Sequence, residues 1–118
     1  MAETTMQEVM LPIEKDPRFP KAPIGWTVEQ AEGLARNEGL ALGEDHWEAI
    51  RALQDYFVRN ENPKVRELHD ALDEKFHAKG GIRYTYELFP GGPVAQGCRL
   101  AGLTPPAGAE DKSFGSVQ

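Results

Sequence analysis

The chain is cut at short intervals by residues that a helix interior does not tolerate: Gly39, Asn62-Pro63, Gly80-Gly81, Pro93 and Gly102. Glycine carries a high backbone entropy cost there, and proline removes a donor and clashes with the preceding turn. Between the cuts, apolar residues recur at helical spacing. Val28, Ala31, Leu34 and Ala35 follow Thr27, whose "TVEQ" has the threonine–glutamine spacing of a capping box. Trp47, Ile50, Leu53 and Phe57 stripe "EDHWEAIRALQDYFVRN", which opens on carboxylates suited to the positive end of a helix dipole. Val65, Leu68, Leu72 and Phe76 line a third segment, with Pro63 expected in its first turn. "IRYTYELFP" is expected to be helical through Tyr84 and Leu88, although Tyr84 and Tyr86 also alternate as a strand would. Pro93 opens a last helix with Val94, Cys98 and Ala101 on one face, closed by Gly102.

The first 26 residues differ. "EVMLPI" has strand-like residues, but Pro12, Pro17, Pro20 and Pro23 restrict any pairing to a short edge hairpin, with Phe19, Ile24 and Trp26 as its expected anchors. From Leu103 onward, prolines, small residues and charges read as an arm. The expected organisation is one domain over residues 1–102 followed by a C-terminal arm over 103–118. At 118 residues, with 40% hydrophobic and 27% charged content, such a chain can bury a core without staples.

Several functions are disfavoured by what the sequence holds. No apolar run approaches the length of a membrane span, and "MAETTMQEVM" has neither the basic patch nor the apolar block of an export signal. With one cysteine there is no internal disulfide, and the cytoplasm is the expected location. The net charge of −6 argues against a nucleic-acid partner, and the cations of "PKVRELHDALDEKFHAKGGIR" are interleaved with carboxylates as on a solvated helix face. No glycine-rich nucleotide loop is present, and Ser113 and Ser116 both lie in the arm, away from any histidine. His46, His69 and His77 lack convergent spacing and read as solvent-facing rather than metal-binding. Neither a metal nor a cofactor is expected.

The lone thiol, Cys98, has two readings from its residues. Gly97 leaves room beside it, Arg99 adjoins it, and Arg83 lies in a segment able to fold back on it; cations favour the reactive thiolate. Alternatively, Cys98 shares its face with Val94 and Ala101 and packs as a small apolar residue. Composition and spacing leave both open.

The stretch "RYTYELFPGGPVAQGCRLAGLTPPAG" resembles the C-terminal signature of the DsrC/TusE/DsvC family of sulfur-relay proteins, through "YELFPGGP", "CRLAGL" and "PPAG". Upstream, "HWEAI" and the start of "PKVREL" are similar to that family's helices, so the likeness runs over roughly residues 24–109. The resemblance implies an α+β fold that is mainly helical: a short N-terminal β-hairpin or meander packed on about five helices, with a flexible C-terminal arm. It implies a sulfur carrier rather than a turnover enzyme, holding persulfide sulfur on arm cysteines. One branch of the family serves dissimilatory sulfite reductase and sulfur oxidation, and another serves tRNA thiolation. Cys98 is then the candidate sulfur acceptor, Arg83 and Arg99 steer anions, and Tyr84, Leu88, Phe89 and Pro90 meet partners. The expected partners are sulfur-transfer or sulfite-reductase-type proteins, met by a monomer.

One position departs from that pattern. The family's carrier cysteine stands eleven residues beyond the position matched by Cys98, which is Ala109 here, and the chain continues with "EDKSFGSVQ" where members of the family stop about one residue later. Three functions follow as expectations: relay through Cys98 alone, a non-carrier member that docks on sulfur-transfer partners, or a helix-turn-helix DNA regulator.

Overall fold

Each break in the sequence becomes a helix boundary. The structure, a computed structural model, describes residues 16–109. It contains α1 (Val28–Asn37), α2 (Glu44–Arg59), α3 (Val65–Lys75), a 3-10 turn (His77–Lys79), α4 (Ile82–Leu88) and α5 (Pro93–Ala101). Thr27 caps α1 by accepting from the Gln30 N–H at 3.1 Å. The segment around Tyr84 is helical, and Pro93 takes the first turn of α5. Pro63 differs from expectation: α3 begins at Val65 with Lys64 as its cap, and the proline lies buried just outside it. The Glu67 carboxylate reaches back to the Lys64 N–H at 3.4 Å, so the cap position falls one residue after the proline.

The α+β expectation is corrected. Among the described residues there is no strand, and the fold is all-helical. Residues 16–26 form consecutive turns instead of one arm of a hairpin. The Phe19 N–H donates to Asp16 O at 2.8 Å, Ala22 N–H to Phe19 O at 3.1 Å, and Trp26 N–H to Pro23 O at 3.1 Å. Pro17 and Pro20 each occupy the second position of such a turn, where their fixed φ is preorganised, so the prolines build turns rather than merely weaken a strand. "EVMLPI" lies outside the described residues.

The centre of the packing is α5. It contacts α1, α2, α3 and α4, and every residue from Pro93 to Leu100 except Arg99 is buried. Gly97 allows the closest approach: a Cβ added there would stand 2.8 Å from Leu53 Cδ1 on α2. Ile50 and Leu53 from α2, Leu68 and Leu72 from α3, and Phe89 after α4 complete the core, all at 1% exposure or less. Burial of each such side chain contributes about 1.5–3 kcal/mol. Phe19 joins them at 1% exposure, against the rings of Trp26 and Trp47, whereas Ile24, expected as an anchor, stands 83% exposed.

Candidate functional site

The site begins where α5 ends and the arm leaves it. A helix terminus exposes four carbonyls without intrahelical partners. All four are satisfied here. Cys98 O accepts from the Leu103 N–H at 2.8 Å and Arg99 O from the Gly102 N–H at 3.2 Å, the paired bonds of a Schellman motif. Leu100 O accepts from Trp26 Nε1 at 2.7 Å, and Ala101 O from Gln54 Nε2 at 3.0 Å. The direction in which the arm departs is therefore fixed by side chains from the N-terminal turns and from α2.

Gly102 makes the exit possible. Its φ is +80°, and a Cβ there would lie 2.6 Å from Trp26 Cδ1. Gly102→Ala is expected to cost about 1–2 kcal/mol through the backbone alone, with a further loss from displacing the indole. Thermal denaturation should then show a midpoint lower by at least about 4 °C. An unchanged midpoint would mean that the arm root is not pinned in this way.

Cys98 has no exposed surface, and burial pushes its thiol up to about 12, with no cation offsetting that shift. Arg99 does not approach it. Neighbouring residues on a helix point about 100° apart, and Arg99 turns outward to meet Glu38 Oε1 at 3.1 Å. Glu38 also accepts from Gln96 Nε2 at 2.6 Å, while Gln96 Oε1 accepts from the Gly91 N–H at 2.9 Å. Desolvation opposes ionisation of Glu38, but the bonds from Gln96 and Arg99 outweigh it and hold the carboxyl below its ordinary value. This network joins α1, α5 and the loop before α5. Arg83 is exposed on α4 and makes no ion pair among the described residues. The structure therefore does not bring Cys98, Arg83 and Arg99 together around one sulfur atom.

The four residues expected to meet partners also separate. Leu88 and Phe89 are buried, at 8% and 0% exposure, and of the four only Pro90 is exposed. Tyr84 is half-buried and donates its hydroxyl to the Asp45 carboxylate, which Lys79 Nζ also meets at 2.9 Å. The hydroxyl and the ammonium hold the Asp45 carboxyl below its ordinary value. His46 differs from the solvent-facing expectation. Its Nδ1 accepts from the Gly43 N–H at 3.0 Å and its Nε2 donates to Leu88 O at 2.8 Å, with its ring edge-on to Phe89. His69 is half-buried, and burial lowers its pKa. Among the described residues, no group of three or more His, Cys, Asp or Glu is placed to hold a metal ion. Nor is any helix there long and apolar enough to cross a membrane.

Sequence reasoning missed Gln54 and Gln96, buried polar side chains that tie the arm root and the loop before α5. Gln96 left a signal: it is the one amide in the otherwise apolar run "PVAQGC".

Beyond α5, residues 103–109 carry no regular secondary structure. Leu103 and Ala109 pack against the core, and the Ala109 N–H donates to Pro106 O at 3.1 Å. A cleft of about 800 Å³ separates Thr104–Ala107 from the α2–α3 connection, where Phe57, Pro63 and Val65 supply the apolar surface.

This helical body with a pinned arm matches the DsrC-like protein family over residues 10–109, and the chain belongs to that family. It is 41% identical to the sulfurtransferase TusE of Shigella flexneri and 40% identical to that of Salmonella typhimurium, in each case over 69% of this chain and 76% of the relative. The NMR structure of Allochromatium vinosum DsrC superposes with a TM-score of 0.61 at 40% identity, covering 70% of this chain and 76% of that one.

Proposed function

We propose that this protein works in sulfur relay by docking on sulfur-transfer partners, without itself holding the sulfur. One observation carries the reading: the sole thiol of the chain, Cys98, has no exposed surface, and the arm position where the family resemblance places the carrier cysteine is Ala109. A sulfur acceptor needs a thiolate that a donor can reach. Alanine offers no nucleophile, and burial disfavours the Cys98 thiolate. The family membership and the TusE and DsrC relatives support the relay setting.

In this reading residues 1–102 form the docking body and residues 103–118 the arm. Both act in the cytoplasm as a single copy. Arg83 and Pro90, both exposed, and the half-buried Tyr84 present the outer side of the "RYTYELFP" segment, while Leu88 and Phe89 are buried beneath it.

The test is binding to a purified sulfur-transfer protein of the TusE relay, compared by calorimetry for wild type and Cys98→Ala. Equal affinities are expected, because Cys98 reaches no partner. A tenfold or greater loss in a folded Cys98→Ala variant would contradict docking without the thiol.

A further inference from the structure

The walls of the cleft beside the arm are set before anything enters it. Thr104–Ala107 form one wall, and that wall is tied at both ends. On one side the Leu103 N–H donates to Cys98 O at 2.8 Å and Leu103 packs on the core. On the other the Ala109 N–H donates to Pro106 O at 3.1 Å, with Ala109 also against the core. Between them Pro105 and Pro106 have fixed φ and stiffen the stretch. The α2–α3 connection forms the other wall, with Phe57, Pro63 and Val65 as its apolar residues. Phe57 and Val65 are only half-buried, so apolar surface stays open there. A preformed groove spares its occupant part of the ordering cost of binding.

The charge of the cleft says what that occupant carries. Six cations of the described chain, Lys79 and Arg99 among them, are paired with carboxylates. Lys64 and Arg66 line the cleft, stand exposed, and make no ion pair among the described residues. Glu61 is the single carboxylate of the lining, so the cleft is locally basic in a protein of net charge −6. Cations beside open apolar surface complement a segment that joins carboxylates to a large apolar side chain. A nucleic-acid strand fits less well, because its phosphates make no use of the apolar wall and the net charge repels a polyanion.

We propose that this cleft is the groove in which a sulfur-transfer partner docks, through an extended acidic segment of that partner. Its carboxylates meet Lys64 and Arg66, and its large apolar side chain lies against Phe57 and Val65. The proposal rests on the docking reading and adds to it the surface and the chemistry of the partner's contact. Because Thr104–Ala107 is one wall, the docked segment touches the arm as well as the helical body.

The first test is NMR on the full chain with labelled methyl groups, titrated with the synthetic peptide Ac-Glu-Asp-Ala-Leu-Phe-amide. The Val65 methyl resonances are expected to shift saturably. Two control peptides, one with Gln-Asn in place of Glu-Asp and one with Ala-Ala in place of Leu-Phe, should each bind at least about tenfold more weakly. The exposed double variant Lys64→Glu/Arg66→Glu should weaken the acidic peptide by a similar factor, and raised salt should act in the same direction. No Val65 shift at millimolar peptide, or equal affinity for the uncharged control, would overturn the proposal. So would Val65 shifts that appear on concentrating the chain alone, because the occupant would then be a second copy. The second test replaces the peptide with a purified sulfur-transfer protein of the TusE relay. At least about a tenfold loss of affinity in the double variant is expected. Equal affinity of wild type and double variant would overturn the groove and leave docking itself intact. Binding by neither would overturn the docking reading, and the partner assigned to the groove with it.

Discussion

Iodoacetamide is expected to alkylate Cys98 at pH 8 at least about a thousandfold more slowly in the folded chain than in the unfolded one. The factor follows from the thiolate population. Burial moves the thiol from an ordinary 9.0 to about 12, and only the thiolate reacts. Complete burial of the sulfur adds to that protection, because the reagent must wait for the core around α5 to open. The same shift sets a pH dependence. Between pH 9 and 12 the unfolded chain releases the Cys98 proton while the folded chain keeps it, so stability falls as pH rises through that window. The slope from this group is about 1.4 kcal/mol per pH unit. Other groups titrate there too, so the contribution is read as the difference in slope between wild type and Cys98→Ala. Alkylation rates within tenfold of each other in the folded and unfolded chains would contradict the burial.

The second large effect falls on the segment through which the family resemblance is clearest. Phe89→Ala is expected to cost about 3–5 kcal/mol, the loss typical of deleting a buried ring. Phe89 has no exposed surface and packs edge-on to His46 with centroids 5.2 Å apart. For a domain of about this size the midpoint should fall by more than about 12 °C. Pro90→Ala, one residue on and exposed, should move it by no more than a few degrees. A Phe89→Ala chain that melts like wild type would return that side chain to the surface and to direct partner contact.

Why did the depth of these residues escape the sequence? Helix boundaries are local events, written in Gly39, Pro93 and Gly102, and they read directly. Depth is a property of the assembled helices. Gly97 beside Cys98 looks like open space along the chain, but in the fold that space is filled by Leu53 from α2. Arg99 looks like a neighbouring cation, but helical rotation carries it to Glu38. The apolar run Leu88-Phe89-Pro90 gives no hint that His46, far away in sequence, donates to the Leu88 carbonyl. The N-terminal prolines were legible as obstacles to a strand. That they would instead organise successive turns around Phe19 depends on a core to receive the ring, which local sequence does not display.

Ala109 was legible, because it is an identity rather than a geometry. It sits half-buried at the end of a turn, close to the core and beside the cleft. The docking reading therefore separates cleanly into what the chain lacks, an accessible thiol on the arm, and what it keeps, the body that positions that arm.

The most direct measurement is intact mass after incubation with a persulfide donor, with wild type and Ala109→Cys side by side under native conditions. Docking without carriage predicts no added sulfur on wild type and the mass of one sulfur atom on the variant. Added sulfur on wild type, mapped to Cys98, would contradict it.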